Sequence, residues 1–246
     1  MTAIADLTAR PIRFTADIPA WRTILAALGG TLISEAPGWL VYQLGSGRIA
    51  LHASSQDRPA GSSAIGLETS SPLEWAVKAA AAAGAPISLA HTAHGPSAQV
   101  DAKDGTVFSL DSVTPAAAGV GPTQGELTSL AIWHTPLGGH ARSIFTALDA
   151  RPRVLADDEM WTDFRCDGGG LLAVHAADTV GAELAFEWAG NVEEAKALLD
   201  AAGVQSALID EGHSRTLQIA DPDGVKEIWI NEKQTDLYGY TLGELD

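Results

Sequence analysis

The sequence predicts an α+β protein made of four strand–helix–three-strand (βαβββ) modules, paired into two tandem domains. Three observations predict this fold: an internal repeat, four recognisable helix starts, and short runs of alternating or β-branched residues between them. The 246 residues are 46% hydrophobic and 19% charged, which is ordinary for a globular protein. The length suits one large or two small domains.

The internal repeat is clearest in the second half of each domain. Residues 66–85, GLETSSPLEWAVKAAAAAGA, align with residues 185–204, AFEWAGNVEEAKALLDAAGV, at an offset of 119. This offset pairs Glu68 with Glu187. It continues without a gap through Gly84 and Gly203, Gln99 and Gln218, Asp104 and Asp223, and Gly105 and Gly224. Self-similarity at a period of about 120 residues indicates a duplicated small domain.

The first halves of the two domains also repeat, at a slightly different offset. The segment GSGRIALHAS matches GGGLLAVHAA, which pairs His52 with His175. Trp39 lies near the counterpart of Trp161. The duplication therefore extends over most of the chain.

Four helix starts divide the modules. Ser71-Pro72-Leu73-Glu74 reads as a capping box with proline at the first helical position. Asn191 offers a side-chain cap followed by acidic residues in the first turn. Asp17-Ile18-Pro19 and Thr135-Pro136 are the two further helix entries. Two glycines are placed to end the second and fourth helices in a left-handed turn: Gly84 and Gly203.

The remaining periodic segments predict strands, because apolar and polar residues alternate in them or because they are rich in β-branched and aromatic residues. These strands are Trp39–Leu44, Ile49–Ala53, Ser97–Val100, Thr106–Leu110, Trp161–Cys166, Leu171–Ala176, Thr216–Ala220 and Val225–Ile230.

The domain boundaries follow from the repeat and from composition. The segment VTPAAAGVGPTQG, from residue 113 to residue 125, has Pro, Gly and Ala without a period and reads as a linker. The predicted division is a first domain at 1–114, a linker at 115–126, a second domain at 127–232 and a tail at 233–246. Four apolar tail residues predict that the tail packs back on the protein: Leu237, Tyr238, Tyr240 and Leu242.

Charge and cysteine content narrow the class of protein. The net charge of −16 is concentrated after residue 114, where 8 Lys and Arg face 22 Asp and Glu. Nucleic-acid binding is therefore not expected, because it needs a basic face. The single Cys166 cannot form an internal disulfide, the N-terminus is not a signal peptide and no apolar run would span a bilayer. These features predict a cytoplasmic protein without membrane contact.

A doubled βαβββ module with a DPDG turn before its last strand resembles the vicinal oxygen chelate superfamily. This group includes glyoxalase I, the extradiol dioxygenases and the bleomycin-resistance proteins. The resemblance is carried by residues 182–203 and 216–232, with fainter copies at 64–84 and 97–111. It implies two glyoxalase-like domains with cup-shaped mixed sheets. In members that use a divalent metal, it also implies ligands from the first and last strand of each module.

The positions that the resemblance assigns to metal ligands mostly hold other residue types. They are Arg10, Ala50, Ala64 and Ser109 in the first domain, and Leu127, Ala173, Glu183 and Ile228 in the second. Glu227 lies one residue before the expected position, and strand alternation points it away from the cup unless a bulge shifts the register. A single carboxylate does not hold a divalent ion. The sequence therefore predicts no metal cofactor.

A candidate ligand pocket remains in the second domain. The resemblance puts Ala173 and Glu183 at cup-facing positions, and alternation then puts His175 and Glu187 on the same side, with His52 in the matching place of the first domain. The alternative for each imidazole is a strand-end histidine bound to a backbone carbonyl. Trp133 and Trp229 are candidates for aromatic pocket walls, with packing against the helices as the alternative.

These residues predict a glyoxalase- or bleomycin-resistance-like protein that binds a small organic molecule without metal. The acidity of the second half favours a cationic or amine-bearing ligand. The alternative is a divalent-metal-dependent lyase or dioxygenase-type enzyme of the same superfamily, and a third option is a scaffold for a protein partner. Because the two domains are fused in one chain, a monomer is expected, with a homodimer as the alternative.

Overall fold

A computed structural model describes residue 4 and residues 6–92, 95–210, 214–233 and 238–243. In this part of the chain there are four α-helices of ten residues each. They are α1 (Ile18–Ala27), α2 (Leu73–Ala82), α3 (Gly138–Ala147) and α4 (Val192–Ala201).

The described residues of the first domain form ten short strands in two five-stranded sheets. The strands are β1 (Thr8–Ala9), β2 (Ile12–Thr15), β3 (Thr31–Ala36), β4 (Trp39–Gln43), β5 (Arg48–Ala53), β6 (Ser63–Ala64), β7 (Gly66–Thr69), β8 (Ile87–Thr92), β9 (Gly95–Asp101) and β10 (Val107–Ser112). The sheet orders are β3-β4-β5-β2-β6 and β1-β7-β10-β9-β8. Because β1 leads into β2, and β6 into β7, across one or two residues, the two sheets follow each other closely in the chain.

The second domain forms one continuous sheet. Its strands are β11 (Leu127–Thr135), β12 (Arg151–Ala156), β13 (Trp161–Arg165), β14 (Leu171–Ala176), β15 (Gly181–Trp188), β16 (Ser206–Asp210), β17 (Arg215–Ile219), β18 (Ile228–Glu232) and β19 (Tyr240–Leu242). The order is β16-β17-β18-β15-β11-β14-β13-β12-β19. The pairs β11–β14 and β15–β18 are parallel and the others antiparallel. The predicted α+β class and the βαβββ modules are confirmed.

The helix ends agree with the sequence in part. Asp17 Oδ1 accepts a hydrogen bond from Ala20 N at 3.0 Å, and Asn191 Oδ1 accepts one from Glu193 N at 2.8 Å. The capping box at Ser71 is wrong: Pro72 is extended, with ψ of 128°, and is itself the N-cap, so α2 begins one residue later than expected. The two predicted left-handed helix ends are confirmed, with φ of 101° at Gly84 and 76° at Gly203.

The helices pack in pairs that cross from one domain to the other. One buried cluster joins α1 to α4 and includes Trp21, Leu25 and Leu199. The other joins α2 to α3 and includes Ala76 and Phe145. The apolar faces of all four helices are therefore covered within one chain, which gives the interdomain contact its hydrophobic stabilisation.

The last hairpin of the second domain is one residue longer than the corresponding hairpin of the first. Gln99 pairs with Ser109, whereas its repeat partner Gln218 pairs with Trp229 and not with Ile228. The hairpin turn runs to residue 227 because Asp221 accepts hydrogen bonds from the backbone amides of Gly224 and Val225. The strand therefore starts at residue 228, later than predicted.

This extra residue reverses the predicted orientation of the strand. Ile228 and Ile230 are buried in the helix-side cluster with Val192 of α4. Trp229 packs on the opposite face of the sheet. Glu227 lies two residues before Trp229, just before the strand begins, and its side chain is exposed. The register that assigned Ile228 to a ligand position in the cup is therefore wrong, and the cause is turn length and not a bulge within β18. The expected orientation of Glu227 rested on that register.

The tail packs back as predicted where it is described. Strand β19 pairs with β12, and Tyr240 lies opposite Ala156. Tyr238 is 93% exposed. Leu237 lies outside the described residues. No helix in the described part of the chain is long and apolar enough to cross a membrane.

The DPDG turn is fixed to the first domain by a buried arginine. Arg13 of β2 is 3% exposed, donates to Gly61 O and forms an ion pair with Asp221. Asp223 Oδ1 accepts hydrogen bonds from Thr15 Oγ1 at 3.0 Å and from Ala16 N at 2.8 Å. These contacts connect the two domains beside the helix pair α1 and α4.

Loss of the Arg13 guanidinium should destabilise the protein strongly. Arg13→Met leaves the buried carboxylate of Asp221 unpaired, which we expect to cost about 3–5 kcal/mol in free energy of unfolding, measured by urea denaturation. The matched control is Arg22→Met, because Arg22 and its partner Glu35 form an exposed ion pair worth at most about 1 kcal/mol. Equal losses in the two variants would contradict a special role for Arg13.

Candidate functional site in the second-domain cup

The sheet of the second domain is strongly curved and forms a cup, as the contacts of Arg153 demonstrate. Arg153 of β12 donates from Nη1 to Glu187 Oε1 at 3.0 Å and from Nη2 to Glu187 Oε2 at 2.8 Å. Glu187 is on β15, which is four strands away in the sheet order. Four strand spacings on a flat sheet would separate the two strands by about 19 Å. The contact is possible only because the edges of the cup approach each other.

Arg153 also binds a second carboxylate. Its Nε and Nη2 donate to Asp163 Oδ1 and Oδ2 at 3.1 and 2.7 Å. Burial lowers the pKa of Arg153, but the hydrogen bonds to Asp163 and Glu187 outweigh burial and raise that pKa above its ordinary value. The guanidinium is thus a fixed cation between two carboxylates. Glu187 faces the cup as predicted, but both of its oxygens are bound by Arg153.

A second polar cluster lies near the opposite end of the cup. His134 Nε2 donates to Glu183 Oε2 at 3.0 Å, and Lys226 Nζ approaches the same oxygen at 2.7 Å. The hydrogen bond from His134 lowers the pKa of Glu183 to about 2, assisted by Lys226 and opposed by burial. Glu183 is therefore an anion throughout the physiological range.

His175 lies beside this cluster. Its ring centroid is 5.1 Å from that of His134 and 5.9 Å from that of Trp161. Burial lowers the pKa of His175, and the nearby charge of His134 lowers it further, while Glu183 acts in the opposite direction. His175 is thus expected to be neutral near pH 7, so that one ring nitrogen donates and the other accepts.

The floor of the cup between the two polar clusters is apolar. Its members come from alternate positions of five strands, and they are Leu130, Ile132, Leu171, Ala173 and Ala185, with Trp161 and Trp229 packed against them. The residues between them on β11 and β15 point to the helices, as Trp188 does. The cup therefore contains a buried apolar cluster with a polar group at each end.

The two tryptophans proposed as pocket walls behave differently. Trp229 packs on the cup floor. Trp133 is fully buried on the helix side of the sheet, where it packs against Phe145 and donates to Asp104 Oδ2 at 3.0 Å. The prediction that Trp133 lines the ligand pocket is wrong, because β11 alternation assigns its position to the helix face. Leu127, an expected ligand position, is buried on that face as well.

The first-domain cup is closed by ion pairs of its own. Arg10 lies 2.9 Å from Glu68 through Nε and 2.6 Å from Asp111 through Nη2, and Arg48 binds the second oxygen of Glu68. The guanidinium of Arg10 stacks at 5.2 Å from the ring of Trp39. Glu68 and Glu187 are repeat partners, so an arginine neutralises the same position in both domains.

His52 differs from its repeat partner His175. The Nδ1 atom of His52 is 2.6 Å from the carbonyl oxygen of Ala53, which is the backbone-bound alternative foreseen for it. Its ring packs at 5.5 Å from Phe14 and 5.6 Å from Trp39. Phe14 takes the place that His134 has in the second domain, so the described residues of the first domain form no imidazole–carboxylate pair at this end of its cup.

The residues of the second-domain cup do not fit a bound divalent ion. The floor positions on β11, β14, β15 and β18 are apolar, and the carboxylates of Asp163 and Glu187 are occupied by a guanidinium. Glu183 is bound by Lys226 and His134. Within the described ranges, no group of three His, Cys, Asp or Glu side chains is arranged to hold a metal ion.

Sequence reasoning missed three residues of this site. His134 directly precedes the predicted helix entry at Thr135-Pro136, but it is on β11, and parallel pairing places it directly beside His175. His134 lies two residues after Ile132, so strand alternation puts both side chains on the same face of β11. This pattern could have identified His134 as a cup residue. Lys226 and Arg153 gave no such signal, because their partners come from distant strands.

Comparison with solved structures identifies the fold. A catechol 2,3-dioxygenase superposes with a TM-score of 0.62 at 15% identity, over 95% of this chain and 89% of that chain. A 2,2',3-trihydroxybiphenyl 1,2-dioxygenase from Sphingomonas wittichii strain RW1 gives 0.60 at 15%, over 100% and 93%. A Mn(II)-bound glyoxalase from Novosphingobium aromaticivorans gives 0.58 at 13%, over 95% and 84%.

These proteins belong to the vicinal oxygen chelate superfamily, and the present chain has their tandem-domain fold. The predicted resemblance is therefore confirmed at the level of fold. No protein-family model and no curated protein matches the sequence. At 13–15% identity the likeness does not transfer an activity, because this fold supports several chemistries.

Glu183 should make the stability of the protein depend on acid pH. A carboxyl with a lowered folded-state pKa stabilises the fold above its unfolded pKa and loses that contribution as pH falls through the folded value. A decrease from 4.5 to about 2 corresponds to at most about 3 kcal/mol, at about 1.4 kcal/mol per unit. Wild type should therefore exceed Glu183→Gln in stability at pH 7, with the gap closing between about pH 5 and pH 2.

Urea denaturation at a series of pH values measures this gap. The control is Glu193→Gln, which removes an exposed partner of Arg215 and should lower stability by at most about 1 kcal/mol at any pH. A gap for Glu183→Gln that does not change with pH would contradict the assignment of Glu183 as a paired anion.

Proposed function

We propose that the second-domain cup binds a small organic molecule with an apolar body and does so without a metal ion. The observation that carries this proposal is the apolar cluster inside the cup, which includes Ala173 at one of the expected ligand positions. Ligand sites are typically apolar concavities with a few polar groups that fix orientation. The floor between the Arg153 and Glu183 clusters has this composition.

The polar end of the ligand would meet His175 and Glu183. His134 and Lys226 both contact Glu183 through Oε2, so Oε1 is placed to accept a hydrogen bond from an amine or hydroxyl group. His175, neutral near pH 7, adds a donor or an acceptor beside it. Trp161 and Trp229 provide flat faces for the apolar body. The activity is therefore binding or sequestration, in the manner expected of a resistance-type protein.

The rival function is a metal-dependent lyase or dioxygenase. One observation favours it: His134 contacts the ring of His175 and donates to Glu183, so two imidazoles and a carboxylate lie in one cluster. For these groups to chelate an ion, Lys226 would have to leave Glu183. Elemental analysis of the purified protein distinguishes the two functions. Stoichiometric Mn, Fe or Zn that is lost in His175→Ala would overturn the metal-free proposal.

Two further properties are part of the proposal. The chain acts as a monomer, which is supported by the coverage of all four helices within one chain. It acts in the cytoplasm, which is supported by the single buried Cys166. A molar mass near 25.5 kDa in light scattering is the expected result for the monomer.

Binding is tested by thermal shift with a panel of aromatic and alkyl amines, alcohols and carboxylic acids, followed by titration calorimetry of the best compound. His175→Ala should weaken binding by about tenfold, since one lost hydrogen bond or ring contact is worth about 1.4 kcal/mol. His52→Ala is the matched control, because it changes the repeat partner in the first domain and should leave affinity unchanged. No stabilisation by any compound, or equal losses in both variants, would refute the proposal.

A further inference from the structure

The C-terminal strand adds a pocket to the mouth of the second-domain cup. Strand β19 lies along β12, and the β12–β13 hairpin turns beside it at residues 157–160. Between them is a cavity of about 470 Å³ whose lining includes Asp157, Asp158, Met160, Trp161, His175 and Tyr240. Trp161 and His175 also border the cup floor, so the cavity and the cup are contiguous.

Two carboxylates give this pocket a negative charge. Asp157 Oδ1 accepts from Thr241 Oγ1 at 3.2 Å, and Asp158 Oδ1 accepts from Met160 N at 3.0 Å. Among the described residues, neither carboxylate has an ion-pair partner. The next residue, Glu159, is instead paired with Arg142 at 3.1 Å. In the two cups, arginine side chains neutralise the carboxylates. The carboxylates of this pocket are not neutralised in that way by a described residue.

The remaining walls are aromatic and polarizable. Trp161 and Tyr240 are half-buried, so each keeps part of its ring accessible. The side chain of Met160 is 46% exposed and offers a thioether. Aromatic faces attract organic cations, most strongly when the cation carries alkyl groups that shed water easily. A small inorganic cation would find few oxygen ligands in such walls.

We propose that this pocket binds an alkylated ammonium group. Trp161 and Tyr240 contact the alkyl groups by cation–π attraction, and Asp157 and Asp158 supply the opposite charge. The proposal rests on the proposed function and deepens it. A ligand whose apolar body lies on the cup floor carries its ammonium group past Trp161 into the pocket, so the preferred ligand class is a hydrophobic tertiary or quaternary amine.

The test compares choline with its neutral isostere 3,3-dimethyl-1-butanol, by titration calorimetry and by amide chemical-shift mapping. Choline should bind about tenfold more tightly, because the two differ in charge and hardly in shape. Tyr240→Leu should remove most of this preference. Tyr238→Leu is the matched control, because Tyr238 is almost fully exposed on the same segment.

A second set of variants tests whether binding requires the negative charge of the pocket. Asp157→Asn combined with Asp158→Asn should reduce the affinity for choline and leave that for 3,3-dimethyl-1-butanol unchanged. Glu159→Gln, in the same hairpin but paired with Arg142, should change neither. Thermal melts of all variants establish that each is folded.

The outcomes separate this inference from the proposed function. Equal affinities for choline and its isostere, or a Tyr240→Leu variant that keeps the preference, would overturn the ammonium site even if other compounds bind the cup in a His175-dependent way. Binding of choline that is lost in Tyr240→Leu but unchanged in His175→Ala would support the ammonium site and count against the cup as the main binding surface.

Discussion

Strand alternation in the second-domain sheet is the constraint on which the site depends. Each strand has one face packed against helices that also cover the neighbouring domain, so half of its side chains must be large and apolar. The other half face the cup and are free to be polar. Trp133 and Trp188 are on the helix face, and Glu183, Glu187 and Trp229 are on the cup face. A shift of one residue would exchange these two sets.

The same constraint explains why the last hairpin matters. The segment between Gln218 and its strand partner Trp229 is one residue longer than the corresponding segment of the first domain. As a result, Ile228 and Ile230 pack in the helix-side core and Trp229 faces the cup. The longer turn also places Lys226 where its amine reaches Glu183. The turn is held on its other side by Arg13 of the first domain. Interdomain packing and the composition of the cup are thus coupled through one short segment.

Charge neutralisation inside the protein is the second feature that shapes the site. Buried carboxylates need a partner cation, because removal from water is costly for an unpaired charge. In this chain the cations are arginine side chains: Arg153 for Asp163 and Glu187, and Arg10 with Arg48 for Glu68. A guanidinium fixed between carboxylates leaves no vacant ligand atoms. Asp157 and Asp158, at the mouth of the cup, are exposed to water and have no ion-pair partner among the described residues.

Sequence by itself determined the α+β class, the duplication and the βαβββ modules, because repeats, helix caps and strand alternation are local signals. It also placed His175, Glu183 and Glu187 on the cup face, because the alternation of side chains along one strand does not depend on the neighbouring strands.

Only the tertiary structure decided which of these groups are available. The curl of the sheet brings Arg153 to Glu187, parallel pairing brings His134 to His175, and the length of one turn sets the orientation of Ile228 and Trp229. Contacts between residues that are far apart in the chain depend on how strands are ordered and bent. No local pattern encodes that geometry.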